Sequence, residues 1–575
     1  LKGLTLEKLE MDSSQTLITF SRGAETNPLA NFRTGDIAVM YPALMDQDDN
    51  PTLYQLHRAN ITYVDSDRVE IRLRNMQIHT GQIEKHKYWN LEHDLLDSSF
   101  KALYQSLWVL MNADAHSRQV ILGLMPPEAG PSKEPIPGPP GLTPAQLNIY
   151  TEAIASGSQY LLWGPPGTGK TSMMLRSWVW YYFHHTSSRI VLMAYTNKAV
   201  DEICEALHHC DPDISESYIR IGSRAATGEA YKHRLLDRVI EPMTRRAEIL
   251  ALLGHTRIFV ATVSSLQGKS ELFHLIPFDV AIMDEASQLL EPAVVGLLTR
   301  IKKTILIGDH MQLPAVSVQP GEMGQIPQGM EWGQRIGLTD MSMSYFERMY
   351  RLYQSRGWNQ LIGILHEQGR MHADIMRYAN TCIYRGLLDV IDPVRQRIDL
   401  RDLFPESVSV LFSERMLFVP VASELSETYL KTNIAEALMT IQLIRLWLEK
   451  LIVYQLDWTI GVITPFRAQI AAITHLAHQG GLDMERVTID TVERYQGGAR
   501  DIIIMSAAAN SLQSLDRMTS VNQDGVDRKL NVAVTRARQQ FILVGAESLL
   551  STQPAYAALI EMSIRLDFQD GTKDR

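Results

Sequence analysis

Cysteine is almost missing from this chain, with three in 575 residues. That excludes a disulfide-stapled scaffold and a four-cysteine zinc or iron–sulfur site within the chain. Long apolar runs are missing too. No window of 18 or more uninterrupted apolar residues occurs, so no membrane span is expected. No signal peptide is read at the start, and the expected place of action is intracellular: the cytoplasm, or the nucleus of a eukaryote. Positive charge is in the minority, 55 Lys and Arg against 65 Asp and Glu, for a net charge of −10. Passive coating of nucleic acid by bulk charge is therefore disfavoured, while a local basic groove stays open because affinity depends on phosphate contacts along it. No solenoid repeat is visible. The chain begins at Leu1, and its first residues read as mid-protein sequence, so a longer polypeptide is expected.

The composition is otherwise that of a folded protein, 45% hydrophobic and 21% charged, apolar enough to offset its ordering entropy. At roughly 150 residues per domain the length implies three or four domains. Residues 1–95 carry short alternating runs at Ile37–Tyr41, Ile61–Val64 and Val69–Leu73 between turn formers, which predicts a small β-barrel. Residues 96–125 read as a helical stalk with Leu103, Leu107 and Leu110 on one face. Seven Pro and three Gly between positions 126 and 141 mark a linker. From 142 to 335, apolar strands at Tyr160–Trp163, Ile190–Ala194, Ile258–Ala261, Val280–Met283 and Thr304–Ile307 alternate with helices, the signature of a parallel sheet. Four Gly and two Pro in 317–335 form a second break. The alternation resumes over 336–575, with strands at Thr459–Ile463, Val487–Ile489, Ile502–Ser506 and Phe541–Val544. The coarse expectation is two α/β domains in tandem behind a barrel and a stalk.

Chemistry enters at Gly164, Pro165, Pro166, Gly167, Thr168, Gly169, Lys170 and Thr171, which match the P-loop pattern without a gap. An apolar strand precedes them, and Ser172–Tyr182 can form a helix. Glycines let backbone amides turn inward around phosphate oxygens, and the helix start adds partial positive charge. Lys170 supplies a cation to the β- and γ-phosphates of ATP, and Thr171 a hydroxyl to Mg²⁺. A P-loop needs a carboxylate for the metal. The strand Phe278–Met283 ends in Asp284 and Glu285, where ligands bind in such sheets. Asp284 would hold Mg²⁺, and Glu285 would orient and deprotonate the attacking water. A third strand ends in Gly308-Asp309-His-Met-Gln312-Leu-Pro314, where the Gln312 amide can sense a γ-phosphate.

Asp284-Glu285-Ala-Ser-Gln followed by Gly308-Asp309-His-x-Gln312-Leu-Pro resembles the superfamily 1 helicases, and within them the class B, five-to-three-prime branch. That branch holds the nonsense-mediated-decay RNA helicase and the flap-processing DNA nuclease-helicases. Other segments resemble the family's motifs in order. Leu142–Gln146 is similar to the motif that reads adenine, Thr196–Asp201 to motif Ia and Ala261–Ser265 to motif Ic. Gln368-Gly-Arg370-Met-His is similar to the family's Gln-Tyr-Arg-Met, Val462–Arg467 to motif IV, Thr491–Gly497 to motif V and Leu530–Arg538 to motif VI. The resemblance implies two tandem RecA-like P-loop domains preceded by the barrel and stalk, with ATP and Mg²⁺ as cofactors. It further implies Gln146 at the base, Arg370 and Arg536 as arginine fingers, and a single strand of DNA or RNA held by Thr196, Asn197, Thr262, Pro465 and Thr491.

The expected activity is an ATP-driven five-to-three-prime translocase or helicase on single-stranded DNA or RNA, with DNA slightly favoured by the Tyr195-Thr196 form of motif Ia. The rival reading is an ATP-gated clamp that recruits partners without unwinding. A nuclease segment or partner is expected outside this chain. With only Cys204, Cys210 and Cys382, and no Asp…Glu-x-Lys strand pair, the chain itself is not expected to cut DNA. Two departures stand out: Gly369 where the family has Tyr, and Gly498-Ala499 where it often has Arg-Glu touching the nucleotide. Cys204, His208, His209 and Cys210 could share a metal, but with no second cluster to support them they read as a structural helix end. The run Lys85–Trp89 reads either as a nucleic-acid contact or as a barrel loop. The stripe Leu443, Leu446, Trp447 and Leu451 reads as core.

Overall fold

The computed structural model describes residues 1–11, 16–23, 32, 34–43, 54–65, 67–74, 81–94, 99–127, 136–317, 321–327, 329–407, 409–422 and 431–568. The centre of the expected linker, 128–135, lies outside these residues. The chain divides into two units, Leu1–Lys101 and Ala102–Arg575.

The first unit is a closed antiparallel barrel of β1 (Leu4–Met11), β2 (Thr16–Ser21), β3 (Ile37–Pro42), β4 (His57–Val64), β5 (Arg68–Leu73) and β6 (Tyr88–His93), in the order β1-β2-β5-β4-β3-β6. Alternation drives it: Val69, Ile71 and Leu73 point inward while Arg68, Glu70 and Arg72 do not. Pairing of β1 with β6 closes the ring and leaves no open edge. Trp89 is buried in this core, its indole donating to the His86 carbonyl at 2.9 Å. The aromatic end of the Lys85–Trp89 run therefore belongs to the barrel.

The expected stalk is two helices, Ser99–Asn112, which lies in the second unit from Ala102 onward, and Ala115–Ile121. They break where the Asp114 carboxylate accepts from the Ser117 amide at 2.9 Å and caps the second helix. Leu110 and Ile121 enter the core of the first sheet, so these helices pack along that lobe.

That sheet has seven parallel strands: β7 (Gln159–Trp163), β8 (Ile190–Ala194), β9 (Tyr218–Ile221), β10 (Ile258–Thr262), β11 (Val280–Met283), β12 (Lys303–Gly308) and β13 (Ile362–Ile364), ordered β13-β7-β12-β11-β8-β10-β9. The last of these corrects the domain boundary expected at 335/336. Strand β13 pairs with β7, and the helix Tyr345–Ser355 buries Tyr345, Phe346, Met349 and Tyr353 in the core that holds Phe259 and Met283. The Tyr353 hydroxyl also donates to Gln159 Oε1 at 2.6 Å. The Gly- and Pro-rich stretch is thus not the boundary between lobes, because the apolar face of the following helix finds its partner on the first sheet.

The second lobe opens with a two-stranded pair, β14 (Glu367–Gln368) and β15 (Asp389–Val390). Its main sheet contains β16 (Met416–Pro420), β17 (Ile460–Ile463), β18 (Val487–Asp490), β19 (Arg500–Ser506), β20 (Ala537–Gly545) and β21 (Ile564–Arg565), all parallel, ordered β18-β17-β19-β20-β16-β21. Helix Ile434–Val453 seats Leu443, Trp447 and Leu451 in its core, with Leu446 packed at the margin. In the first sheet the motifs sit at the carboxyl ends of strands, where open parallel sheets bind ligands; in the second, Pro465 and Thr491 follow β17 and β18, while Gln496 and Arg536 lead into the amino ends of β19 and β20. Among the described residues no helix is long and apolar enough to cross a membrane.

Candidate functional site

Strand β7 delivers the phosphate loop. Gly167 and Gly169 adopt φ of 78° and 82°, and a Cβ on Gly167 would stand 2.6 Å from that of Arg370 in the other lobe. Only glycine allows that approach. The expected helix Ser172–Tyr182 begins instead as a wide turn, Lys170–Leu175, before the α-helix Arg176–His185. Lys170 Nζ donates to the Gly164 carbonyl at 2.6 Å, which holds the ammonium inside the loop. Thr168 Oγ1 donates to the Pro165 carbonyl at 2.8 Å. Gln146 is buried under the loop: its Oε1 accepts from the Thr143 amide at 3.1 Å, and its Nε2 donates to the Thr168 carbonyl at 3.4 Å. In this arrangement the Gln146 amide braces the phosphate loop.

Strand β11 ends one hydrogen bond away. Asp284 Oδ2 accepts from the Thr171 hydroxyl at 2.5 Å. Burial, reinforced by the neighbouring Glu285 charge, pushes the Asp284 carboxyl up to about 6. A buried acid of this kind beside a second acid is a fitting seat for a divalent cation, and Thr171 and Asp284 would share it. Glu285 takes the left-handed conformation, φ 53°, sparsely populated for a residue with a side chain. Its Oε2 accepts from Gln288 Nε2 at 3.0 Å and from Gln496 Nε2, in the second lobe, at 2.9 Å.

Strand β12 brings Asp309, whose carboxylate accepts from the Trp163 indole (2.9 Å), the Gln312 amide (2.6 Å) and the Tyr384 hydroxyl (2.7 Å). Asn531 donates to the Met311 carbonyl at 2.7 Å and to Tyr384 at 3.0 Å. Two arginines complete the site from the second lobe. The Arg370 amide donates to Gln368 Oε1 at 2.9 Å, and its guanidinium reaches the Thr535 carbonyl at 3.3 Å. Burial first, and then the Arg536 charge, lowers Arg370 to about 9. Arg536 is buried, with its own value lowered by burial. Two desolvated cations facing a phosphate loop form an anion site. Gln146, Lys170, Glu285, Gln312, Arg370 and Arg536 all line one cavity of about 980 Å³ between the lobes.

Residues 141–248 with 239–320, and residues 341–548, match two family models described as AAA domains. The chain is 26% identical to a DNA replication ATP-dependent helicase/nuclease of Arabidopsis thaliana over 96% of its own length and 40% of the relative's. It is 26% identical to a DNA replication ATP-dependent helicase/nuclease of Gallus gallus, over 96% of this chain and 51% of that one. An uncharacterized ATP-dependent helicase of Methanocaldococcus jannaschii is 24% identical over 89% of this chain and 84% of its own. The chain belongs to the superfamily 1 helicases, in the class B branch. It covers 40% of the length of one helicase/nuclease relative and 51% of the other.

The five residues expected from the motifs to contact a nucleic-acid strand lie at or just past the carboxyl ends of strands in the two sheets. Thr196 is exposed and caps helix Asn197–His208 by accepting from the Ala199 amide at 3.1 Å. Asn197 is half-buried in the first turn of that helix. Thr262 ends β10, and its hydroxyl donates to Ser265 Oγ at 2.8 Å. Pro465 follows β17 and Thr491 follows β18, each just past a strand end. Thr262 and Thr491 are buried, so the sheet tops offer Thr196, Asn197 and Pro465 more openly. The Cys204–Cys210 group turns to separate partners. Cys204 lies buried beside Arg220, His208 faces the Tyr218 hydroxyl at 3.1 Å, His209 lies 2.8 Å from the Glu205 carbonyl, and Cys210 meets the Arg176 carbonyl. Sequence reasoning missed the side-chain work of Gln496, Tyr384 and Asn531. Gln496 and Asn531 lie within recognised helicase motifs, so position in a motif was the available signal; Tyr384 had none.

Proposed function

We propose that this chain is an ATP-hydrolysing motor that moves five-prime to three-prime along single-stranded nucleic acid and separates duplexes, on DNA in preference to RNA. The observation that carries the reading is the pair of arginines, half-buried Arg370 and buried Arg536, which face Lys170 and Glu285 across one cleft. Such a pair is poorly compensated until a polyanion enters. Gly164–Thr171 would wrap the phosphates, with Lys170 on the β- and γ-phosphates. Thr171 and Asp284 would hold Mg²⁺, which supplies charge neutralisation between those phosphates. Glu285 orients a water for in-line attack on the γ-phosphorus and takes its proton as the bond to the ADP oxygen breaks. Arg370 and Arg536 stabilise charge on the γ-phosphoryl oxygens, and Gln312 aims Arg536. Because these groups come from both lobes, hydrolysis and lobe closure are one event, and each cycle can advance a strand held by Thr196, Asn197, Thr262, Pro465 and Thr491. Groups poised for turnover favour a motor over a passive clamp.

The five-to-three-prime polarity is supported by the barrel and helices preceding the first lobe, as in the branch this chain belongs to. The work is intracellular, and a nuclease activity, if coupled, resides in a segment or partner outside this chain. The test is strand displacement on duplexes carrying either a five-prime or a three-prime tail, DNA and RNA side by side, with ATP and Mg²⁺. Unwinding from the five-prime DNA tail is expected; ATP-dependent strand retention with neither unwinding nor translocation would favour the clamp.

A further inference from the structure

A second cavity, of about 510 Å³, adjoins the nucleotide cavity and opens toward the sheet tops, lined by Thr196, Lys198, Asp490, Arg494 and Tyr495 among others. The two cavities share a wall. Glu202, Glu285, Gly497, Gly498 and Arg500 face both. Three of these come from the second lobe and two from the first, so the wall exists only when the lobes meet.

Its construction is specific. Lys198 and Glu202 lie one turn apart on helix Asn197–His208, the spacing at which side chains are neighbours. Lys198 Nζ crosses to the second lobe and donates to the Arg494 carbonyl at 3.1 Å and the Gln496 carbonyl at 3.3 Å. Gln496 in turn donates from its side chain to Glu285 at 2.9 Å. The glycine pair makes the room. A Cβ on Gly497 (φ +84°) would collide with the Glu202 carboxylate, and one on Gly498 would stand 3.3 Å from Lys198 Nζ. The bare backbone at 497–498 thus receives an acid and a base from the first lobe. Burial pushes the Glu202 carboxyl up to about 7; Glu285 and Asp284 add to that, while Lys198 and Arg536 oppose it.

We propose that Lys198 and Glu202 are positioning residues that couple a strand lying in the second cavity to hydrolysis in the first, by setting where Gln496 holds Glu285. This rests on the motor reading above. A strand phosphate entering beside Thr196 competes with the Arg494 and Gln496 carbonyls for the Lys198 ammonium. Drawing Lys198 toward the strand releases the Gln496 backbone, and the amide that holds Glu285 shifts with it. Glu202 supplies the counter-charge that returns Lys198 to the wall and fills the step at Gly497, so that the wall moves as one body with lobe closure.

The experiment is steady-state ATPase titrated with a single-stranded oligodeoxynucleotide, on the wild-type chain, Glu202→Gln and Lys198→Met. The glutamine keeps the shape of the acid, and Lys198 is exposed, so folding survives in at least one variant. The ratio of strand-stimulated to basal kcat should fall by about fivefold in each, the size of coupling that intermediary residues carry. The strand concentration for half-maximal stimulation in Glu202→Gln should change far less than that ratio. The coupling is overturned if the ratio is intact, if basal and stimulated rates fall together, or if the loss lies wholly in the half-maximal concentration. A wild-type chain with no ATPase would overturn the motor reading and this inference together.

Discussion

Arg536 of the second lobe donates from Nη2 to Gln312 Oε1 of the first at 2.6 Å. The Gln312 amide has one orientation open to it, because its Nε2 donates to Asp309 at 2.6 Å. Asp309 is itself held by Trp163 and Tyr384. The carbonyl end is thereby aimed at the guanidinium. Arg536→Ala and Arg370→Ala should each lower ATP turnover by about 10³-fold or more, the range of arginine-finger losses. Nucleotide affinity should fall much less. Gln312→Ala should lower kcat more mildly, since it removes the aim and leaves the cation. Steady-state kinetics with equilibrium nucleotide binding separates these outcomes. An arginine variant that loses affinity but keeps its maximal rate would place that arginine in ground-state binding.

Lys170→Ala should abolish hydrolysis, because the loop then has no ammonium for the β- and γ-phosphates. Glu285→Gln should bind ATP but not turn it over, since an amide cannot accept the proton. A nucleotide-binding assay beside phosphate release is the check, and near-normal turnover in Glu285→Gln would reassign the base.

Asp284 carries a stability cost that its chemistry demands. Its folded value, about 6, lies above the ordinary carboxylate value of about 3.9. The folded state therefore holds this proton more tightly than the unfolded chain. This group's contribution to stability is greatest below the unfolded value, falls as pH rises through about 6, and stays low above it. Asp284→Asn should accordingly raise the melting temperature of the nucleotide-free protein at pH 8, have little effect at pH 4, and remove Mg²⁺-dependent ATPase. Calorimetry at the two pH values reads the first part. A variant less stable at pH 8 would show that the carboxylate is better paired than its burial implies.

Loading onto DNA should weaken with salt, because the grip is largely on phosphates and counterions are released on binding. Fluorescence anisotropy of a labelled single strand over a salt series should give a negative log–log slope. On tailed duplexes, unwinding confined to the three-prime tail would refute the polarity while leaving the ATPase chemistry untouched.

Much of the architecture was legible along the chain. The alternating runs at Ile37–Tyr41 and Val69–Leu73 became barrel strands, and the apolar runs from Tyr160 to Phe541 became the two parallel sheets. The strand-end acids Asp284 and Glu285 face the phosphate loop. The boundary between lobes was misread because a Gly- and Pro-rich stretch marks a loop, whereas lobe membership is decided by which sheet buries the helix that follows. Tyr345, Phe346 and Met349 make that choice only in three dimensions.

The sequence by itself determined the local chemistry: a glycine loop with Lys170 and Thr171, acids closing an apolar strand, and arginines at Arg370 and Arg536 within ordered motifs. These are contiguous patterns, because each depends on a strand, its turn and the first residues of a helix. Tertiary structure alone decided the partnerships. Gln496 holds Glu285 across 211 positions and Arg536 meets Gln312 across 224. Lys198 and Glu202 settle on the bare backbone of Gly497 and Gly498. No periodicity encodes such pairs, because they form where the carboxyl-end loops of the first sheet meet the loops that lead into the amino ends of β19 and β20 in the second, and that apposition is a property of lobe packing.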